Sequence, residues 1–230
     1  MRRLVNEKTL ELNITYELMR RLDVQIYGLT QHEEGFIGAD VEYYSPLGVK
    51  YVIQFKAARK GNDGTYGVFE LNNNQNMDQH LILDMIDKSG VIRAFYLFPL
   101  VITDNFLVNN FGRLLVYTVP IKANQITGNL NWRNLKHKIS VYNNGQFFVT
   151  SSKKHYGESK SMNSFIEDVK NNIKKSKILE MTFPAYIKKT IRKIEEMIRE
   201  KGIIGRRKFT FLFFGRSENT QQIGFYQTLI

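Results

Sequence analysis

The sequence contains no cysteine among its 230 residues and only 4 prolines. The lack of cysteine excludes disulfides, thiolate metal sites and a cysteine nucleophile, and nothing requires an oxidising compartment. Apolar runs such as AFYLFPLVI (94–102) are far shorter than the roughly 20 residues of a membrane-spanning helix. The start, MRRLVNEKTLELN, lacks the apolar segment of a signal peptide. We therefore expect a soluble cytoplasmic protein with no membrane partner.

Several motifs of common enzyme classes are also missing. His32, His80, His137 and His155 show neither HxH nor HExxH spacing, which argues against a zinc site. We interpret them as ordinary polar residues, although His80 follows Gln79 on a predicted helix and could face a site. Walker A, GxGxxG and GxSxG sequences are absent, so a P-loop, a dinucleotide-binding turn and a nucleophilic serine have no support.

Positive charge is abundant and unevenly distributed. The chain has 33 Lys and Arg against 22 Asp and Glu, a net charge of +11. Residues 1–120 hold 12 basic and 14 acidic residues, and residues 121–230 hold the other 21 and 8. A concentrated positive field attracts polyanions, of which nucleic acid is the commonest. The alternative is a solvated lysine-rich surface that aids solubility.

The first half of the sequence predicts a helix, a three-stranded meander, a second helix and a further strand. Apolar residues at helical spacing predict a helix over 8–22. Strand-like runs at 36–44 and 49–57 are expected to form a hairpin through Ser45-Pro46-Leu47-Gly48. Further elements are expected as follows: a short strand at 66–71, a helix at 77–88 and a buried strand at 91–101.

The second half predicts a less regular arrangement of helices and strands. We expect a strand at 114–121, a hairpin over 137–152 around Asn143-Asn144-Gly145, helices within 160–200 and a strand at 206–215. No internal repeat or clear linker is present. We therefore expect one compact α/β unit, with a core over 1–120 and a basic α+β extension over 121–230.

Four polar residues around the predicted hairpin suggest chemistry. Gln54 and Lys56 are two apart on one strand and therefore share a face, and the hairpin would bring Asp40 opposite residues 53–54. Asp40, the Gln54 carbonyl and Glu34 supply the oxygen ligands that Mg²⁺ or Mn²⁺ prefers. Lys56 could orient or deprotonate an attacking water, or stabilise charge on a phosphate. The set predicts metal-assisted phosphodiester hydrolysis.

This pattern resembles the PD-(D/E)xK phosphodiesterase superfamily, which includes Holliday-junction resolvases and type IV restriction nucleases. The resemblance covers residues 8–101 and implies a restriction-endonuclease-like core. It also implies a DNA nuclease in which Asp40, Gln54 and Lys56 match the catalytic positions. Glu34 or Glu17 would match an upstream acid, with Glu11 equally placed by periodicity; Gln79 would match a polar helix position.

Two features depart from that motif. Ala39 stands where the motif has proline, and Gln54 replaces an acid, which removes one negative charge from a cation site. A non-catalytic nucleic-acid-binding descendant is therefore one alternative, and a basic protein-interaction module is another. A homodimer is an open possibility, because many such nucleases pair to cut two strands.

Basic clusters in the second half are candidate phosphate contacts, for DNA in preference to RNA. The residues selected for this role are Lys153, Lys154, Arg206, Arg207 and Lys208. Aromatic residues near 153–155 could stack on bases, although such residues more often belong to a core or a hairpin: Tyr142, Phe147, Phe148 and Tyr156.

Overall fold

In the computed structural model the chain forms two β-sheets with helices around them. The structure describes residues 4–22, 25–28, 44–71, 79–88, 93–128, 137–150, 154–174, 178–182, 192, 196, 199–200, 208–216 and 221–229. The helices are α1 (Glu7–Leu22), α2 (Gln79–Lys88), α3 (Asp104–Asn109), α4 (Ala123–Thr127) and α5 (Met162–Lys174), with a 3₁₀ helix at Leu114–Tyr117. The strands are β1 (Gln25–Gly28), β2 (Tyr44–Phe55), β3 (Lys60–Asn62), β4 (Tyr66–Leu71), β5 (Arg93–Pro99), β6 (Thr118–Lys122), β7 (His137–Tyr142), β8 (Gln146–Thr150), β9 (Lys154–Glu158), β10 (Ile178–Thr182), β11 (Lys208–Arg216) and β12 (Gln221–Leu229).

The larger sheet has seven strands. Its order is β1-β12-β11-β2-β5-β6, and β10 also pairs with β2. β2 and β5 are parallel neighbours, with Gln54 level with Tyr96, while β11 pairs antiparallel on the other side of β2. The connection from β2 to β5 contains β3, β4 and α2, since a parallel pair requires a crossover connection.

The smaller sheet is an antiparallel arrangement of β3-β4-β7-β8-β9. Alternate residues of its strands are buried, which gives the sheet one inner and one outer face. Phe69 on the inner face packs edge-on against Phe98 of β5, with ring centroids 4.8 Å apart. The inner face of this sheet therefore packs against the larger sheet at β5.

The main hydrophobic core lies on the opposite face of β2 and β5. Leu10, Ile14 and Leu18 form the buried stripe of α1 that the sequence predicts. They pack with Ile53, Phe55 and residues of α5 in one buried cluster. Since strand residues alternate between faces, this packing turns Gln54 away from α1.

Several predicted elements are confirmed, with boundaries shifted by a few residues: α1, α2, β4, β5, α5, β11 and the hairpin β7–β8. The hairpin turns at Gly145, which has a positive φ of 89°. A Cβ there would lie 2.6 Å from the Ser159 carbonyl oxygen, so only glycine fits.

The predicted hairpin turn at Ser45–Gly48 is wrong, because β2 continues through these residues. Pro46 lies opposite Ile178 of β10 and Leu47 opposite Gly215 of β11, and these distant partners hold the segment extended. The three-stranded meander is also not formed as predicted, because β2 and β4 belong to different sheets. The predicted strand 36–44 lies outside the described residues, apart from Tyr44, which begins β2.

The predicted strand 114–121 is half right. Its first four residues form the 3₁₀ helix and β6 begins at Thr118. Each sheet contains strands from before and after residue 120, since β11 pairs with β2 in the larger sheet and β7 pairs with β4 in the smaller one.

None of the helices in the described part of the chain is long and apolar enough to span a membrane.

Candidate functional site

Gln54 and Lys56 lie at the carboxyl end of β2. Ile53 and Phe55 are buried in the main core, whereas Gln54 and Lys56 are half-buried, so the two polar residues alternate onto the opposite face. The Lys56 amide donates to the Leu97 carbonyl at 3.3 Å, which extends the pairing with β5 beyond the end of β2. The backbone therefore holds both side chains in fixed positions on one face of the sheet.

The Gln54 side chain has a defined orientation. Its Nε2 donates to the Phe55 carbonyl oxygen at 3.0 Å. Of the two polar atoms of this side chain, only Oε1 has the lone pairs that a cation needs, because Nε2 is a donor. A carbonyl oxygen is an acceptable ligand for a hard divalent ion.

The acids that complete the predicted site lie outside the described residues, namely Asp40 and Glu34. The hairpin that was expected to bring Asp40 opposite residues 53–54 is not formed, because β2 runs extended from Tyr44 to Phe55. A contact of Asp40 with Gln54 and Lys56 is therefore a prediction that the hairpin no longer supports. In the part of the chain that the structure describes, no three His, Asp or Glu side chains form a group that could hold a metal ion.

Glu17, the alternative upstream acid, has a structural position. It is 6% exposed, and its two carboxylate oxygens accept from the backbone amides of Leu114 and Leu115 at 3.0 and 3.1 Å. It thereby fixes the start of the 3₁₀ helix to α1. The i, i+4 spacing of Glu17 and Arg21 in the sequence suggests a surface ion pair. That interpretation is wrong, because the carboxylate is buried and occupied by the fold. Glu11, the third alternative, pairs with Lys8 at 3.1 Å.

His80 lies on the same side of the larger sheet as Gln54 and Tyr96, and it is fully buried between β5 and α4. Its Nδ1 is 3.3 Å from the Tyr96 hydroxyl and its Nε2 is 3.0 Å from Thr127 Oγ1. Thr127 Oγ1 itself donates to the Ala123 carbonyl. It must then accept from Nε2–H, which leaves Nδ1 to accept from the tyrosine hydroxyl. All four groups are satisfied with a neutral imidazole.

Burial keeps that imidazole neutral. Desolvation, helped by electrostatic interaction with His137 and Lys88, lowers the pKa of His80 from 6.5 to about 3. Burial likewise raises the pKa of Tyr96, its hydrogen-bond partner. His80 therefore cannot exchange protons near neutral pH, and it acts as a packing and hydrogen-bonding link among α2, β5 and α4.

Asp84 and Asp87 follow His80 on α2 at intervals that place them on the same side of the helix. Asp84 Oδ2 pairs with Lys88 at 2.7 Å, and Asp87 Oδ1 accepts from the Ala94 amide at 3.2 Å. Among the described residues, the second oxygen of each carboxylate is buried without a hydrogen-bond partner. Burial raises the pKa of Asp87, with a smaller contribution from Asp84. Asp87 therefore anchors α2 to β5, whereas the Asp84 pair lies within α2.

A basic cleft opens at the β5–β6 edge of the larger sheet, on the α5 side. Its volume is about 530 Å³, and Phe95 and Phe165 pack edge-on in its wall at 5.0 Å. Three cations line it, Arg93, Lys122 and Lys160, together with the neutral amides of α4 and α5. One of them, Lys160, pairs with Asp168 at 3.0 Å, so the cleft keeps an excess of positive charge.

Sequence reasoning missed these three cations because they are 29 and 38 residues apart. No local cluster marks them. Of the basic residues that were predicted, Lys154 is exposed on β9 and Lys208 begins β11, in the other sheet. Lys153, Arg206 and Arg207 lie outside the described residues.

Comparisons with protein-family models, curated proteins and solved structures found no significant match to this chain.

Proposed function

We propose that the protein is a metal-dependent nuclease that hydrolyses phosphodiester bonds of DNA in the cytoplasm, on a restriction-endonuclease-like core. One observation carries the proposal. Gln54 and Lys56 share one face at the carboxyl end of β2, whose parallel neighbour β5 follows through α2. In α/β sheets, ligands bind beyond the carboxyl ends of parallel strands.

The donor set suits a magnesium or manganese ion. With the Asp40 and Glu34 carboxylates that the superfamily resemblance assigns to the site, the Gln54 carbonyl would make an all-oxygen ligand set, the class that Mg²⁺ takes. A bound ion would polarise the phosphate and lower the pKa of a coordinated water. Lys56 carries a positive charge at a half-buried position, where it can stabilise the negative charge that develops on the phosphate or hold the attacking water.

Positive charge elsewhere on the chain would hold the DNA backbone. Arg93 and Lys122 lie in the basic cleft on the other face of the sheet, so they would contact phosphates beyond the cut site, and such contacts position a duplex without reading its sequence. Two active sites would allow both strands of a duplex to be cut in one binding event, so the proposal includes a homodimer for duplex substrates.

The test compares cutting with binding. Plasmid and linear DNA are incubated with the protein in Mg²⁺, Mn²⁺ or EDTA, and DNA affinity is measured separately in EDTA. Lys56→Met keeps the apolar stem and removes only the charge. It is expected to reduce cutting about 100-fold or more and to change DNA affinity less than threefold. Asp40→Asn should reduce cutting as strongly.

Lys8→Met is the matched control, because Lys8 is an exposed lysine on α1 whose ion pair, among the described residues, is with Glu11 on the same helix. It should cut like the unmodified chain. Metal-independent DNA binding without cutting, unchanged by Asp40→Asn, would instead identify a non-catalytic nucleic-acid-binding protein. Cutting that survives Lys56→Met in a folded variant would overturn the proposal.

A further inference from the structure

The outer face of the smaller sheet carries a stripe of aromatic rings. Tyr66, Tyr142, Phe148 and Tyr156 come from four adjacent strands, β4, β7, β8 and β9. Neighbouring centroids are 5.8, 6.3 and 5.9 Å apart, and neighbouring ring planes are within 34° of parallel. We call these four rings the aromatic stripe.

The aromatic stripe faces solvent. Tyr156 is 66% exposed and Tyr66 and Tyr142 are each 36% exposed, while Phe148 is half-buried. The alternate residues of the same strands, such as Phe147, are buried and form the inner face. The stripe is therefore not part of a core. Contiguous exposed aromatic surface of this kind usually marks a binding site.

The charges beside the aromatic stripe indicate the kind of partner. Lys138 and Lys154 lie on the same outer face, both level with Thr150 of β8, and both are exposed. Of the acids on this face, Glu70 lies directly opposite Lys138 and also pairs with Arg59 at 3.6 Å, whereas Glu158 lies at the far end of β9. Lys154 is therefore the stronger of the two phosphate contacts. Lysines beside aromatic rings complement a chain of phosphates that carries planar bases.

We propose that the aromatic stripe binds single-stranded nucleic acid, by stacking unpaired bases on its rings while Lys138 and Lys154 contact phosphates. Four adjacent strands span roughly 14 Å at the usual strand spacing, enough for a few nucleotides. Stacking on rings needs no particular base, so binding should be tolerant of sequence. Base-paired DNA hides the faces of its bases and should bind more weakly at this surface.

The position of the aromatic stripe also connects it with the proposed nuclease site. It starts beside the edge strand β3, whose Lys60 follows Lys56 by four residues. The two Cα atoms can be at most about 14 Å apart. A single-stranded nucleic acid that leaves the rings at Tyr66 could therefore continue over β3 toward the end of β2. This delivery rests on the proposed function, whereas base stacking does not.

The experiment measures binding in EDTA, where a metal-dependent nuclease cannot cut. The probe is a fluorescent oligothymidylate of about 12 nucleotides, within the usual site size. An abasic oligonucleotide of equal length has the same phosphates without bases. The unmodified protein should bind the first at least fivefold more tightly. Tyr156→Ala should weaken binding of the first about fivefold or more, and Tyr156→Phe should restore it.

Tyr16→Ala is the matched control, since Tyr16 is 48% exposed on α1, away from the stripe. It should bind like the unmodified chain. Replacing Lys138 and Lys154 with glutamine should reduce the slope of log affinity against log salt by about 0.7 for each contact. The proposal is overturned if Tyr156→Ala behaves like Tyr16→Ala, or if the abasic probe binds equally well. Binding of a neutral oligosaccharide in place of the oligothymidylate would likewise overturn it.

The outcomes of this binding experiment can be distinguished from those of the Lys56→Met cutting experiment. Loss of stripe binding with intact cutting would remove only the stripe proposal. Stripe binding by a chain that never cuts would remove only the nuclease proposal.

Discussion

Replacing His80 with glutamine is expected to flatten the loss of stability of this protein in acid. In the folded chain the imidazole is fully buried and its pKa is about 3, whereas the unfolded chain has the ordinary value of 6.5. On acidification the unfolded state therefore takes up a proton before the folded state does. Between pH 6.5 and 3 this uptake favours unfolding by about 1.4 kcal/mol for each pH unit.

The size of the effect follows from the two pKa values. Between pH 7 and pH 5 the unfolded imidazole becomes almost fully protonated while the folded one remains neutral. The free energy of unfolding should therefore fall by about 2 kcal/mol from His80 alone. This contribution is fully present above pH 6.5 and is lost progressively below it. His80→Gln has no group that titrates in this range, so its stability should fall by about 2 kcal/mol less over the same interval.

Urea unfolding followed by circular dichroism at pH 7, 6 and 5 measures this difference. The quantity compared is the change in the free energy of unfolding with pH within each variant. Absolute values are not compared, because His80→Gln also loses ring packing against Tyr96 and starts from a lower stability. His155→Gln is the control for removing an imidazole that is only half-buried. Equal pH dependence in His80→Gln and the unmodified chain would refute the assignment of a neutral, buried imidazole.

Three further predictions concern other described groups. Glu17→Gln should lower the free energy of unfolding by about 1–3 kcal/mol, because the buried carboxylate accepts hydrogen bonds from two backbone amides. Glu11→Gln, in a surface ion pair, should lower it by less than about 1 kcal/mol. Equal losses for the two variants in urea unfolding would contradict this. Asp63→Ala removes three hydrogen bonds to the segment after β5 and should lower Tm in calorimetry by several degrees; an unchanged Tm would contradict it. Arg93→Gln and Lys122→Gln should each reduce the salt slope of duplex DNA binding by about 0.9 in fluorescence anisotropy, and an unaltered slope would exclude the cleft from binding.

The elements that could be predicted from sequence are those with a strong local signal. The unbroken apolar run of β5 is buried along nearly its whole length, as such a run indicates. The hairpin at Gly145 follows from turn chemistry alone. The spacing of Gln54 and Lys56 also placed both on one face, because alternation along a strand is a local property.

The predictions that were wrong concern features that depend on residues far away in the chain. Pro46 and Gly48 are turn formers, yet β2 continues through them because β10 and β11 pair there. Glu17 looks like a surface residue on α1, and only its bonds to amides 97 and 98 residues later reveal its burial. The aromatic stripe has the same origin, since it joins Tyr66 to rings from residues 142–156.

The order of strands in the larger sheet constrains how the chain can acquire its structure. β1, near the beginning of the sequence, pairs in parallel with β12, and β11 fills the space between β12 and β2. During synthesis β1 and one edge of β2 therefore stay unpaired until residues 208–229, which form β11 and β12, have left the ribosome. Pairing at such long sequence separation is slow, and a waiting strand edge is open to association with other chains. A chaperone that shields β2 until β11 arrives would raise the yield of folded protein.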